Sequence, residues 1–360
     1  MGGLTVPDGM LSGNGGAAVL RADAAVLRGN IAAVRARVAP AELMMVVKDD
    51  GYGLGAVWAA RVAAEAGVVW IGSYDIPTAV HLRDALGPEP RLFAWVTSTD
   101  EEIAAALHAH VDLGVGSIDY LERVIVQADA TGYRARIHLK IDTGLHRNGL
   151  SAAEWEDGVR IAVDAQHRGI IDLVGAWSHL AEASDAEDDA AQRRFLAAIV
   201  RAQELGAELP FQHLTASAAT WERPELRGTL VRVGAFCFGV RSAGGPDLSG
   251  IAPAAELIAS VRRVDGDEVV VGMGSFDGLP STLGGRVQVG TPAGPRDLLR
   301  VDADASRVAA WPGAEVGDEV IVFGRGGSGD VSPTTLAEAI GTVGEEILCR
   351  LTDGVRREYR

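Results

Sequence analysis

The chain has 360 residues, is 48% hydrophobic and 23% charged, and carries a formal net charge of -16. That length exceeds the ~250–300 residues at which a single core usually stops growing, so one large domain and a smaller one are expected. The charge argues against nucleic acid or an anionic membrane as the main partner. The two cysteines, Cys237 and Cys349, are too few for a disulfide framework and suit a reducing, cytoplasmic compartment.

Residues 1–16 are glycine-rich with little periodicity and read as a flexible N-terminal lead-in. They show no basic segment followed by an apolar one, so no secretion signal is expected. No stretch approaches the ~18 apolar residues of a membrane helix. From about residue 40 to 240, β-branched apolar runs alternate with Ala-rich helical stretches. The runs predict strands at Leu43–Val47, Val68–Ser73, Arg91–Val96, Val111–Val115, Ala135–Ile141, Ile170–Trp177, Phe211–Leu214 and Leu230–Val233. Helical spacing predicts helices at Ala56–Ala66, Thr78–Leu86, Glu101–His108, Tyr120–Ala130, Ala152–His167 and Ala190–Leu205. Eight strands alternating with helices predict an α/β fold, a (β/α)8 TIM-type barrel over 17–244. An open doubly wound sheet is the alternative, but no GxGxxG follows Val47.

After the turn-rich segment at 241–247 the texture changes to a smaller, mainly β C-terminal domain, residues 245–360. Strands are predicted at Leu257–Val264, Glu268–Val271, Arg286–Val289, Leu298–Val301, Glu319–Phe323 and Glu346–Leu351, with one helix at Thr334–Ala339.

Only two of the 33 basic residues are lysines, Lys48 and Lys140. Lys48 closes the apolar run Leu43–Val47 and opens Asp49-Asp50-Gly51-Tyr52-Gly53-Leu54-Gly55. An amine that becomes nucleophilic once deprotonated, at the end of a buried strand, suits carbonyl chemistry for which arginine is too basic. A lysine snorkelling at a strand mouth is the plainer alternative. Lys48, Arg147, His179, Ser217 and Arg232 all fall at or just after the C-terminal ends of predicted strands, the face on which such barrels build active sites.

Together these segments resemble a known family. Val46-Val47-Lys48-x-x-x-Tyr52-Gly53-x-Gly55 is similar to the cofactor-lysine motif of the alanine racemases, and His138-Leu139-Lys140-Ile141-Asp142-Thr143-Gly144-x-x-Arg147 to their second signature. Ser178-His179, Ala216-Ser217-Ala218-Ala219, Val231-Arg232-Val233-Gly234 and Val316-Gly317-Asp318-Glu319-Val320 follow in the family's order, so the resemblance spans about residues 18 to 357.

The resemblance implies a pyridoxal 5'-phosphate (PLP) enzyme, a racemase interconverting L- and D-forms of a small amino acid; no metal site is expected. It implies a homodimer whose sites are shared across the interface. Lys48 would hold PLP through its amine and act as base on one face of the substrate. Tyr52, Ser217 and the backbone amides of Gly234 and Ala235 would bind the cofactor phosphate. His179 would pack on the pyridine ring, though a satisfied core histidine is as plain a reading. Arg232 would face the pyridine nitrogen; a guanidinium cannot accept that proton, so the ring stays neutral and is a weaker electron sink. A salt-bridging arginine is the alternative there. Arg147 would anchor a carboxylate or the cofactor's phenolate oxygen. In the family the lysine matching Lys140 is often carboxylated, which orients the arginine seven residues on; a plain Lys140 paired with Asp142 is the other reading.

The match departs in the second domain. The family's second base is a tyrosine early in that domain, whereas the tyrosines here are 52, 74, 120, 133 and 359. Around Arg262-Arg263-Val264-Asp265-Gly266-Asp267 the Tyr-bearing strand is missing, and Ala303 stands where the family's substrate-pocket Met is expected. Ser275, Asp277, Asp302 and Asp304 are candidate substitutes for the base. Two alternatives therefore stand beside racemisation. One is a one-base PLP enzyme catalysing retro-aldol cleavage, decarboxylation or stereospecific exchange; the other is a non-catalytic PLP binder.

Overall fold

A computed structural model of the chain describes residues 18–360, so the lead-in expected at 1–16 lies outside the described residues. The chain divides into two compact units, residues 24–252 and the described part of Met1–Asp23 together with Pro253–Arg360. The sequence texture had placed those divisions at 16/17 and 244/245.

In chain order the elements of the larger unit begin with helix α1 (Ala24–Val38), to which the sequence reading assigned nothing. Its buried residues Leu27, Ile31, Val34 and Val38 recur at helical spacing and seat it. Because Ala18–Ala22 is strand β1, the barrel strands are β2 (Glu42–Val46), β3 (Trp70–Tyr74), β4 (Arg91–Ala94), β5 (Val111–Val115), β6 (Ala135–Lys140), β7 (Ile171–Trp177), β8 (Phe211–His213) and β9 (Leu230–Val233). Between them run α2 (Ala56–Glu65), α3 (Ile76–Leu86), α4 (Asp100–His108), α5 (Ile118–Thr131), α6 (Trp155–His167), α7 (Asp185–Glu204) and the short α8 (Ser217–Glu222). Helix starts follow the capping chemistry: Asp75, Ser117 and Ser184 accept from backbone N–H groups of the first turn, and Thr99 with Glu102 forms a reciprocal capping box.

The eight strands form one parallel sheet in the order β8-β7-β6-β5-β4-β3-β2-β9. This is the predicted barrel, nearly closed. Among the described residues no ladder joins β8 to β9, and side chains bridge that seam instead. The Thr229 hydroxyl accepts from the amide of Gln212 (2.9 Å) and donates to the carbonyl of Pro210 (2.8 Å). Arg232 on β9 donates to the carbonyls of His213 (2.8 Å) and Leu214 (3.2 Å).

The barrel interior is filled by Met44, Trp70, Phe93, Trp177 and Leu230, with Trp95 and Phe211 against them. So many large rings fit because small residues face them. A Cβ on Gly114 of β5 would come within 2.8 Å of Trp95 and 3.0 Å of Trp177, closer than packed carbons approach.

The smaller unit is built on an antiparallel-rich sheet. Strands β10 (Ala255–Asp265), β11 (Glu268–Val271), β12 (Gln288–Thr291), β13 (Gly294–Val301), β14 (Ser306–Ala309) and β15 (Glu319–Phe323) join β1 and β16 (Arg356–Tyr359) in the order β11-β14-β13-β12-β15-β10-β1-β16. Strands β1, β14 and β16 escaped the sequence reading. β10 turns directly into β11, with Asp265 opposite Glu268 and only Gly266-Asp267 between them. Two residues make the commonest tight connection between antiparallel strands. The loss of a family segment expected around 262–267 finds no support, since residues 264–359 match the family's C-terminal domain.

One prediction is corrected here. Residues 346–349 of the strand expected at Glu346–Leu351 lie in helix α10 (Gly344–Cys349), which follows α9 (Pro333–Ile340). Glu345 and Glu346 occupy its first turn, Ile347 and Leu348 are buried, and Glu346 pairs with Arg350 one turn on (3.1 Å). A short apolar run cannot by itself decide between the two periods.

Candidate active site

The barrel residues singled out from the sequence lie at, next to or beyond the C-terminal ends of its strands, while Ser275, Asp277, Asp302 and Asp304 belong to the smaller unit. Lys48 follows β2 at the head of an unusual turn. Asp49, Asp50, Gly51 and Tyr52 all have left-handed φ, between 53° and 62°. Left-handed backbone costs ~1–2 kcal/mol per L-residue, least for Gly, Asn and Asp, which accounts for Asp-Asp-Gly there. The turn is held by Gly51 N to Val47 O (2.9 Å) and Gly53 N to Asp49 O (2.9 Å), while the Asp50 carboxylate accepts from the first amide of α2 (2.8 Å). This geometry sets the Lys48 ammonium 5.6 Å from the Tyr52 ring centroid and 3.6 Å from Asp49 Oδ2.

Tyr52 is buried, its ring 5.1 Å from that of Phe238. Its hydroxyl occupies the space that a Cβ on Gly234 would need. The Gly234 amide in turn faces Ser217 Oγ at 3.4 Å, and Ala235 opens the 3-10 turn Ala235–Phe238 that follows. Phenol, serine hydroxyl and the Gly234 amide therefore lie together as one small polar cradle, with Ala235 next along the chain, groups of the kind that bind a phosphate dianion.

Beside this cradle Arg232 is buried with five acceptors around its guanidinium. Besides the two seam carbonyls it reaches Ser178 O (2.7 Å), His213 Nδ1 (3.0 Å) and His179 Nδ1 (3.1 Å). Burial and then the charge of Arg147 push its pKa down to about 9, leaving it a cation at neutral pH. Since Arg232 has only N–H groups to offer, Nδ1 of His179 must be bare. Burial, then Arg232, pushes His179 down to about 3, with Arg147, Lys140 and Lys48 adding to the effect. The salt-bridging alternative for Arg232 is corrected: its hydrogen-bond partners are carbonyls and imidazoles, not a carboxylate.

Lys140 ends β6 with its Nζ 4.5 Å above the Trp177 ring, and Arg232 sits 5.1 Å from the same ring. Burial, then Arg232 and Arg147, lowers the Lys140 amine to about 8. The Asp142 carboxylate, its suggested partner, is instead taken up by the amides of Gly144 (2.9 Å) and His146 (3.1 Å) and by the His146 ring (2.9 Å). Those contacts shape the exposed turn that carries Arg147. Arg194 of α7 pins the turn from outside by donating to Thr143 O (2.7 Å), and the Thr143 hydroxyl meets that of Ser178 (2.8 Å). Trp177, His213 and Arg194 were missed from sequence. Each is an ordinary core or surface residue by pattern, and only strand register brings the first two beneath the cations.

The result is a mouth with Lys48, Lys140, Arg147 and Arg232 and an anion cradle. It suits a cofactor bearing both a phosphate and an aldehyde, with room left over in charge for a substrate carboxylate.

Comparison with known proteins agrees. Residues 22–242 match the family model for the alanine racemase N-terminal domain and residues 264–359 that for the C-terminal domain. An alanine racemase of Beutenbergia cavernae is 38% identical over 350 residues, covering 89% of this chain and 92% of that one; one of Thermobifida fusca is 33% identical over 346 residues, with 89% and 92% covered. The crystal structure of alanine racemase from D-cycloserine-producing Streptomyces lavendulae superimposes with a TM-score of 0.89 at 32% identity, covering 95% of this chain and 97% of that one. The fold and its relatives thus define a PLP-dependent isomerase, an alanine-racemase-like racemase. The chain belongs to the alanine racemase family. The one-base alternative finds no support among these relatives.

Proposed function

We propose that this protein racemises a small amino acid, alanine foremost, using PLP held at the barrel mouth. The observation that carries the reading is the cradle of Tyr52, Ser217, Gly234 and Ala235 set beside a buried, protonated Arg232, with the Lys48 amine on the neighbouring strand. When bound, PLP supplies an electrophilic aldehyde and a conjugated ring that spreads the charge left when an amino acid loses its α-proton. Lys48 would hold the cofactor through its amine, and the same amine would take up or return a proton at one face of the substrate's α-carbon. Tyr52, Ser217 and the two amides orient the phosphate. Arg232 would face the ring nitrogen with N–H groups only and could not accept a proton from it, so the ring would stay neutral and a weaker electron sink. His179 would pack against the ring, as a neutral imidazole. Arg147 clamps the carboxylate, oriented by Lys140, whose amine at about 8 is a good candidate for carboxylation.

Two of the carboxylates considered as the second proton-transfer group have structural work. Asp302 is paired with Arg300 (2.7 Å) and Arg307 (3.6 Å), and Asp277 accepts from the amide of Gly274 (2.8 Å). A homodimer is proposed on the family's pattern, and a cytoplasmic location on the two cysteines. No helix among the described residues is long and apolar enough to cross a membrane.

The test is turnover in deuterated water from each enantiomer of alanine separately. Deuterium in the product of inverted configuration from both enantiomers is expected. Exchange of a single enantiomer without inversion would overturn racemisation.

A further inference from the structure

A file of polar side chains runs through the barrel core from Arg232 to Asp112 on β5. Nη1 of Arg232 lies 3.0 Å from Nδ1 of His213, Nε2 of His213 3.0 Å from Nδ1 of His138, and Nε2 of His138 3.4 Å from Oδ2 of Asp112. The Asp112 carboxylate is flanked by Arg91 and by Nε of Arg136 at 2.6 Å. His138, His213 and Asp112 are fully buried and Arg232 is 5% exposed. Rings of Trp70, Phe93 and Phe211 surround His138, and Trp177 stacks on His213 at 5.8 Å.

The two ends of the file dictate its interior. Arg232 can only donate, so Nδ1 of His213 is bare; neutral His213 then carries its proton on Nε2 and donates to His138. His138 is therefore bare at Nδ1 and protonated at Nε2, facing a carboxylate that can only accept. The opposite pair of tautomers would set N–H against N–H at Arg232. Burial lowers the pKa of both imidazoles, consistent with neutral rings.

We propose that His138 and Asp112 are positioning residues for Arg232: the carboxylate fixes the tautomer of His138, whose bare Nδ1 takes up the His213 Nε2 proton and so anchors the ring that presents its bare Nδ1 to the guanidinium and holds it toward the cofactor side. This rests on the reading above in which Arg232 faces the cofactor ring. A core that merely satisfied its polar groups would need no fixed direction; the file requires one.

The direction is read by long-range ¹H–¹⁵N spectra of ¹⁵N-histidine-labelled holoenzyme at neutral pH. Both rings are expected as Nε2–H tautomers. His138→Phe keeps an aromatic ring among Trp70, Phe93 and Phe211 but removes the acceptor. It should leave His213, still facing Arg232, as the Nε2–H tautomer but without an acceptor for that proton, move the pH midpoint of the bound cofactor's absorbance, and lower kcat by roughly 10–100-fold with KM little changed, the size expected when a hydrogen bond to a charged group is lost. His138→Gln retains an acceptor and a donor and should recover most of each effect. A ring found as Nδ1–H or doubly protonated overturns the proposal. So does a folded His138→Phe protein with unaltered cofactor midpoint and kcat. Should that variant not fold, the wild-type spectra still decide the tautomers. A wild type that forms no cofactor band refutes the cofactor reading instead, and leaves the tautomer result standing or falling on its own spectra.

Discussion

Nη2 of Arg232 lies 3.1 Å from Nδ1 of His179, so a permanent cation donates to an imidazole that must remain neutral. His179 accordingly sits near 3 in the folded protein against 6.5 for a free histidine, through burial and then Arg232. On acidification the unfolded chain takes up the proton first. Stability contributed by this group is present above pH 6.5 and is lost progressively as pH falls from there toward about 3. His179→Gln should show a shallower loss of melting temperature than the parent between these limits, measured by thermal unfolding at a series of pH values.

Lys48→Ala should abolish the cofactor's visible band and the adduct that borohydride leaves on the protein, located by peptide mass spectrometry. Racemisation should fall by at least the ~10²–10⁴-fold associated with a positioned acid or base. Stability should barely change, because the side chain is 41% exposed and the turn around it is held by backbone contacts and Asp50.

Gly234→Ala tests the cradle. The added methyl falls on the Tyr52 hydroxyl, which is enclosed by Phe238 and cannot retreat freely. A loss of ~1–3 kcal/mol, as for other overpacked sites, is expected in denaturant titration, together with weaker PLP binding by equilibrium dialysis. Tyr52→Phe in the same chain removes the worst contact but leaves the ring carbon 2.9 Å from the added methyl, so the double variant should recover only part of the stability while PLP binding stays weak.

Lys140 tests the electrostatics of the mouth. Its amine near 8, against 10.5 when exposed, is lowered by burial and then by Arg232 and Arg147. The folded protein releases this proton before the unfolded chain does, so stability should rise with pH through the window from about 8 to 10.5. Lys140→Met should flatten that rise. With ¹³C-bicarbonate at pH ~8, where such an amine is about half deprotonated, the parent should show a carbamate carbon resonance that Lys140→Arg lacks.

Much of the barrel was legible before any coordinates. Its strands are short β-branched runs buried on both faces, and the helices between them have periodic apolar stripes. Those two patterns survive any packing, so Val111–Val115 and Leu230–Val233 emerge with the predicted bounds. Lys48, Tyr52, His179, Ser217 and Arg232 were visible because each stands at a strand end, where side-chain chemistry is not needed to fill a core. Local pattern failed at Gly344–Cys349, a six-residue segment too short to show a period. It failed also for β1 and β16, whose pairing partners lie hundreds of residues away.

What the amino-acid order alone determined, then, was the succession of elements and the chemical types at their ends, because both depend on neighbours along the chain. The tertiary structure decided which of those types meet. Tyr52 against Gly234, Arg232 against His179 and His213, and Lys140 over Trp177 are contacts between strands, set by register and by the volume of rings inside the barrel. The charge states follow from the same cause: burial and the proximity of other cations lower Lys140 and His179, and neither condition is written in the residues that flank them.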